Sequence, residues 1–182
     1  MTAGGRDNPG PTTQCGRGIG QIISLQAILS LLWDNATFYN LAAWLVCGPL
    51  LILWCVRTLR SRFSPETAWL ALAAIVPLAM LPVYHRTYDA RLLLLAVPAC
   101  AMLWRERGWR GQWALGFTLA AIILSGDIFW IAFFQISRYS PPSLTFGMFP
   151  APLALLALAI FYLYEYGREP RNPPDLAFGS DK

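Results

Sequence analysis

Apolar residues run nearly unbroken through Phe38–Val56, Thr67–Val83, Ala90–Trp104, Trp113–Ile136 and Phe146–Tyr166, with short polar or basic breaks between them. A helix of about 20 apolar residues spans a hydrocarbon core of ~30 Å. The pattern therefore predicts an all-α fold: a polytopic integral membrane helical bundle of about five transmembrane helices. Pro49 should kink the first span. Pro77 and Pro82 fall in the far half of the second, and Pro98 interrupts the third. The fourth is long enough to tilt. Pro150 and Pro152 mark the start of the fifth.

Ahead of these runs, Ile19–Trp33 is apolar but short, interrupted by Gln21 and Gln26. At 1.5 Å per residue it reaches only ~22 Å. An interfacial or re-entrant helix is the preferred reading, and a short sixth span the alternative. Residues 1–18, rich in Gly, Pro, Thr and Asn, read as a flexible outer loop. Residues 19–166 form the transmembrane domain, and the polar, Pro-rich residues 167–182 read as a disordered cytoplasmic tail.

Composition agrees with the pattern. Hydrophobic residues make up 56% of the 182-residue chain and charged ones 13%, a balance unsuited to a soluble domain. The formal charge of +4 fits basic loops on one side of a membrane rather than a nucleic-acid surface. With five spans, Arg57, Arg60, Arg62, Arg105, Arg107, Arg110, Arg168, Arg171 and Lys182 fall on one side. Arg6, Arg17, Arg86, Arg91 and Arg138 fall on the other. The richer side should be cytoplasmic, with the amino terminus outside. Trp33, Trp104, Trp109 and Trp113 lie near the proposed boundaries, as an aromatic belt would. Cys15, Cys47, Cys55 and Cys100 show no metal-ligand spacing, so neither a zinc site nor a disulfide is expected.

One polar knot stands out. Pro82-Val83-Tyr84-His85-Arg86-Thr87-Tyr88-Asp89-Ala90-Arg91 holds the single histidine between two apolar runs. A solvated hairpin with belt tyrosines would carry similar residues. The density of ionisable groups beside hydrocarbon favours a site instead. His85, Arg86 and Arg91 supply donors and positive charge suited to a phosphate or diphosphate. Asp89 can hold an arginine in place, and Tyr84 and Tyr88 can stack on a sugar. Asp127, a carboxylate within the fourth run, either lines the site or marks a helix break at Gly126-Asp127.

At this knot, Leu81–Ala90 and the Leu-rich run through Pro98–Trp104 resemble the carboxyl-terminal half of bacterial glycosyltransferase family 87. So do Ser125-Gly126-Asp127, Phe149–Leu153 and Phe161-Tyr162-Leu163. That family includes polyprenyl-phosphate-mannose-dependent mannosyltransferases of the C-type membrane superfamily. The resemblance implies sugar transfer, as a hexosyltransferase or mannosyltransferase, at the outer face of the bacterial inner (plasma) membrane. The donor would be a polyprenyl-phosphate sugar and the acceptor a lipid-linked glycan or a glycolipid. His85, with Arg86 beside it, would bind the donor phosphate. Tyr84, Tyr88, Asp89, Arg91 and Asp127 would line the site. No metal or other cofactor is implied. In the family the catalytic acid lies in an outer loop ahead of the matched region. This chain is therefore expected to be a truncated form that lacks that acid, completed by a separate amino-terminal half. A non-catalytic membrane protein that binds lipid phosphate or scaffolds a partner is the alternative.

Overall fold

The computed structural model describes residues 23–33, 35–61, 64–83, 87–106, 108–126 and 150–168, together with positions 129, 131, 132 and 135. Every regular element among them is helical: α1 (Leu25–Leu32), α2 (Ala36–Arg60), α3 (Pro65–Met80), a 3-10 helix (Thr87–Ala96), α4 (Val97–Arg105), α5 (Trp109–Ser125) and α6 (Pro150–Arg168). Two of them, α2 and α6, are long and apolar enough to cross a membrane. Pro65–Met80 is a shorter apolar helix.

The helix ends follow local chemistry. Asn35 caps α2 by accepting from the N–H groups of Thr37 at 2.9 Å and Phe38 at 3.2 Å. Ser64 accepts from Thr67 N–H at 3.2 Å, and Thr67 Oγ1 accepts from Ser64 N–H at 2.8 Å. This is a reciprocal capping box, with Pro65 at the first helical position where a missing N–H costs nothing. α2 runs on through Pro49 as one helix of 25 residues, so the proline does not divide the first run. α5 stops at Ser125, capped by Gly126. The run Trp113–Ile136 is therefore not one helix; helical backbone resumes at Phe129, Ile131, Ala132 and Gln135.

The third apolar run is the largest departure from expectation. Its first residues wind as part of a ten-residue 3-10 helix, and α geometry begins only at Val97. Pro98 explains the junction. It has no N–H to give the carbonyl four residues back, and its ring crowds that carbonyl. The tighter winding also suits the side chains. Ala90, Leu93 and Ala96 are buried while Arg91, Leu92, Leu94 and Leu95 are exposed, a spacing of three. With rises of about 2.0 and 1.5 Å per residue, Thr87–Arg105 covers roughly 33 Å.

Packing is centred on α3 and α6, which share the largest contact in the fold; α5 lies on α6 and α4, and the 3-10 helix lies on α3. Small side chains fill the helix crossings. On α5 the buried stripe is Gly111, Ala114, Thr118, Ala121 and Ser125; on α3 it includes Ala71, Ala73 and Ala74. Close approach requires a glycine at 111. A Cβ there would stand 2.7 Å from the Leu103 carbonyl oxygen and 2.8 Å from Trp104 Cα. Large apolar side chains point the other way. Leu59 is 81% exposed, Leu32 71% and Leu45 66%, and Trp44, Leu53, Trp104, Trp113 and Ile123 are also exposed. Large side chains such as Tyr162, Leu103 and Leu155 are buried as well, but small residues where helices cross and leucines left on the outer surface are features of helices packed in lipid.

Interhelical hydrogen bonds lock the arrangement. Thr118 Oγ1 and Tyr162 OH are 3.0 Å apart between α5 and α6. Trp54 Nε1 donates to the Ala71 carbonyl at 2.9 Å between α2 and α3.

Candidate functional site

Polar side chains gather at the two ends of the bundle. At one end, α1 folds beneath the stretch of chain that leads into the polar knot. Ile23, Ser24, Leu25, Gln26, Ala27 and Ile28 are all buried. Ser24 caps the helix by accepting from Ala27 N–H at 3.3 Å. With eight residues, α1 reaches only ~12 Å, too short to cross a hydrocarbon core by itself; residues 19–22 of the apolar run lie outside the described residues.

Gln26 is the organising side chain of this end. Its Nε2 donates to Asn40 Oδ1 at 2.7 Å and to the Pro82 carbonyl at 3.0 Å. Beside it, Leu25 N–H donates to the Leu81 carbonyl at 2.9 Å. One buried amide thus ties α1 to the first turns of α2 and to the exit of α3. The carbonyl of Pro82 cannot be satisfied by a continuing helix, because α3 has already ended at Met80. Gln26 fills that need and fixes the direction in which the chain leaves toward residue 84.

Of the knot, Tyr84, His85 and Arg86 lie outside the described residues, as does Asp127. The backbone of Tyr88 belongs to the first turn of the 3-10 helix. Asp89 is in the same turn and half-buried, and Arg91 is exposed. A carboxylate in a first helical turn meets the unpaired N–H groups of the helix start. Thus α1 and the start of α2 hold the near border of the knot at Leu81 and Pro82, and the 3-10 helix forms its far border. Sequence reasoning missed Gln26 and Asn40. Gln26 read only as an interruption of an apolar run, yet a lone amide in such a run is itself a signal that it has a buried partner.

The other end carries a second polar group. Glu165, on the last turns of α6, is fully buried. Arg110, on the first turn of α5, donates from Nε to Glu165 Oε2 at 2.8 Å and also through its terminal nitrogen. Its other terminal nitrogen donates to Glu106 Oε2 at 3.1 Å. Glu165 Oε1 is buried with no hydrogen-bond partner among the described residues. Nearby, Arg57 donates to the Gly167 carbonyl. Tyr166 OH lies 2.9 Å from Ser61 Oγ and donates to Thr58 Oγ1 at 3.3 Å. These contacts bring the ends of α2 and α6 and the starts of α3 and α5 to one side. Glu66, one residue ahead of the run from Thr67, has its carboxyl held below the usual range, first by its own backbone N–H and then by the Ser64 hydroxyl.

Among the described residues, no group of three or more His, Cys, Asp or Glu side chains is arranged to hold a metal ion. Cys47 and Cys100 are buried thiols and Cys55 is exposed; none of the three is in a disulfide.

Compared with known proteins, the chain matches no family model, no curated protein and no solved structure. The likeness to glycosyltransferase family 87 rests on the sequence motifs around His85, Asp127, Pro150 and Tyr162 alone.

Proposed function

We propose that this chain is a five-span inner-membrane bundle whose outer end binds the phosphate of a polyprenyl-phosphate sugar. In this reading it is the carboxyl-terminal portion of a hexosyl- or mannosyltransferase. The membrane part of the proposal is supported by the outward-facing leucines and tryptophans, by the small residues at helix crossings and by the two membrane-length helices. The 3-10 winding of Thr87–Ala96 supports a third crossing, because it stretches a run too short as an α-helix to the ~30 Å of a hydrocarbon core. Arg57, Arg60, Arg105, Arg110 and Arg168 at helix ends away from Gln26 suit a cytoplasmic face.

The observation that carries the site is the Gln26 anchor. A buried amide holds the Pro82 carbonyl at the threshold of the knot, and the far border begins with Asp89 and an exposed Arg91 that makes no ion pair among the described residues. Fixed borders and an unneutralised cation are what binding an anionic headgroup needs. His85 and Arg86 would grip the phosphate oxygens. Tyr84, Tyr88 and Asp127 would line the sugar side. The phosphate charge that develops as the sugar leaves would be stabilised by these cations.

The test is binding of polyprenyl phosphate to the full chain in proteoliposomes. His85→Ala and Arg86→Ala should each weaken it about tenfold, as expected for loss of a charge-assisted hydrogen bond. Unchanged binding in both would overturn the site. Binding without sugar transfer, even with an amino-terminal half added, would favour the non-catalytic lipid-phosphate protein.

A further inference from the structure

At the end of the bundle away from the knot, a groove of about 310 Å³ runs between the start of α3 and the end of α4. Its walls come from two helical faces. Glu66 and Trp69 lie one turn apart on α3; Pro98, Ala101, Met102 and Arg105 follow helical spacing on α4. The middle of the groove is apolar, and Ala101 is the small residue that leaves it open. Its two charged side chains are of opposite sign and on different helices. Both are exposed. Arg105 has no hydrogen bond or ion pair with the described residues. Trp69 in its wall is half-exposed, as tryptophans at a membrane–water boundary are.

We infer that this groove seats a zwitterionic phospholipid with a primary ammonium headgroup. Arg105 takes the phosphate, Glu66 accepts hydrogen bonds from the ammonium, and an acyl chain lies along Pro98, Ala101 and Met102. The charge pattern selects the occupant. A purely anionic lipid offers Arg105 the same phosphate but brings only neutral hydroxyls, and no positive charge, to the Glu66 carboxylate. A quaternary ammonium has no N–H for Glu66 to accept. The inference rests on the membrane reading of the fold and is independent of sugar transfer at the other end.

The experiment is native mass spectrometry of the full chain in detergent, with dioleoyl phosphatidylethanolamine, phosphatidylcholine or phosphatidylglycerol added singly. The ethanolamine lipid should be retained about fivefold better than the other two, the ratio that one well-placed ion pair supplies. Glu66→Gln should erase the preference for ethanolamine over choline. Arg105→Gln should reduce retention of all three. Both side chains are exposed and neither packs in the core. Ala101→Phe, which fills the groove without touching charge, should also abolish retention. Equal retention of the three lipids by the unaltered chain would overturn the inference. So would a preference that survives Glu66→Gln, or displacement by soluble phosphoethanolamine as effective as by the diacyl lipid.

Discussion

Arg110 and Glu165, 55 positions apart in the chain, are joined by two hydrogen bonds to a single carboxylate oxygen, Oε2, on a side chain that is shut off from solvent. The pair ties the first turn of α5 to the last turns of α6. An ion pair of this kind specifies which helix ends meet more than it adds stability, because the Glu165 carboxylate has lost its water.

Removing one partner should therefore be worse than removing both. Arg110→Met leaves Glu165 buried without a counter-charge and should destabilise the bundle by about 3–5 kcal/mol. Arg110→Met with Glu165→Leu should recover most of that loss. Unfolding curves in detergent micelles decide it: a double variant as unstable as the single would contradict the account.

Two glycines on α5 should respond in opposite directions to the same change. Gly111→Ala places a methyl group against the backbone of α4 and should cost about 1–3 kcal/mol through forced separation of the helices. A methyl group at position 116 would meet nothing within 4 Å, so Gly116→Ala should gain roughly 0.5–1 kcal/mol of helix stability. The check is a paired thermal denaturation; a gain of the same size at both positions would mean that α4 and α5 do not touch at Gly111.

Gln26→Leu keeps the bulk but removes two hydrogen bonds. It should cost about 1–3 kcal/mol, since Asn40 and the Pro82 carbonyl lose their donor. Hydrogen exchange should rise at the start of α2 and around residues 81–83 while α5 and α6 stay protected. Faster exchange throughout would show that Gln26 supports the whole fold rather than this end.

Ser64→Ala opens the capping box of α3 and should destabilise by about 1 kcal/mol. It should also let the Glu66 carboxyl rise toward its ordinary range, since the Ser64 hydroxyl helps hold it down. The sign is fixed by linkage. A carboxyl lowered in the folded state adds stability above its unfolded value, and that stability fades as pH falls through the lowered folded value. The variant should thus lose less on acidification than the parent, read by NMR titration of Glu66 alongside stability at falling pH.

The places of α2, α3 and α6 were legible from hydropathy, and Pro150 from its position at the start of the last run, whereas the caps Asn35 and Ser64 that set the starts of α2 and α3 emerge from the structure. The 3-10 winding was not. A run of four leucines fits a spacing of 3 and of 3.6 equally well, and only the buried Ala90, Leu93 and Ala96 separate the two. Glu165 was equally hidden. It is one acid inside Tyr-Leu-Tyr-Glu-Tyr, and nothing along the chain couples it to an arginine 55 positions earlier. Gln26 belongs with it: polar residues in apolar runs betray a partner but not which one. For the candidate site, the sequence marks the residue types, whereas the support at its borders emerges only when α1 is folded against Pro82.

The ten residues from Thr87 to Ala96 are wound to a longer rise than the nine that follow, and this length difference gives the segment a stroke. Rewinding them as an α-helix would shorten the segment by about 5 Å and swing Asp89 and Arg91 around the axis relative to Leu93.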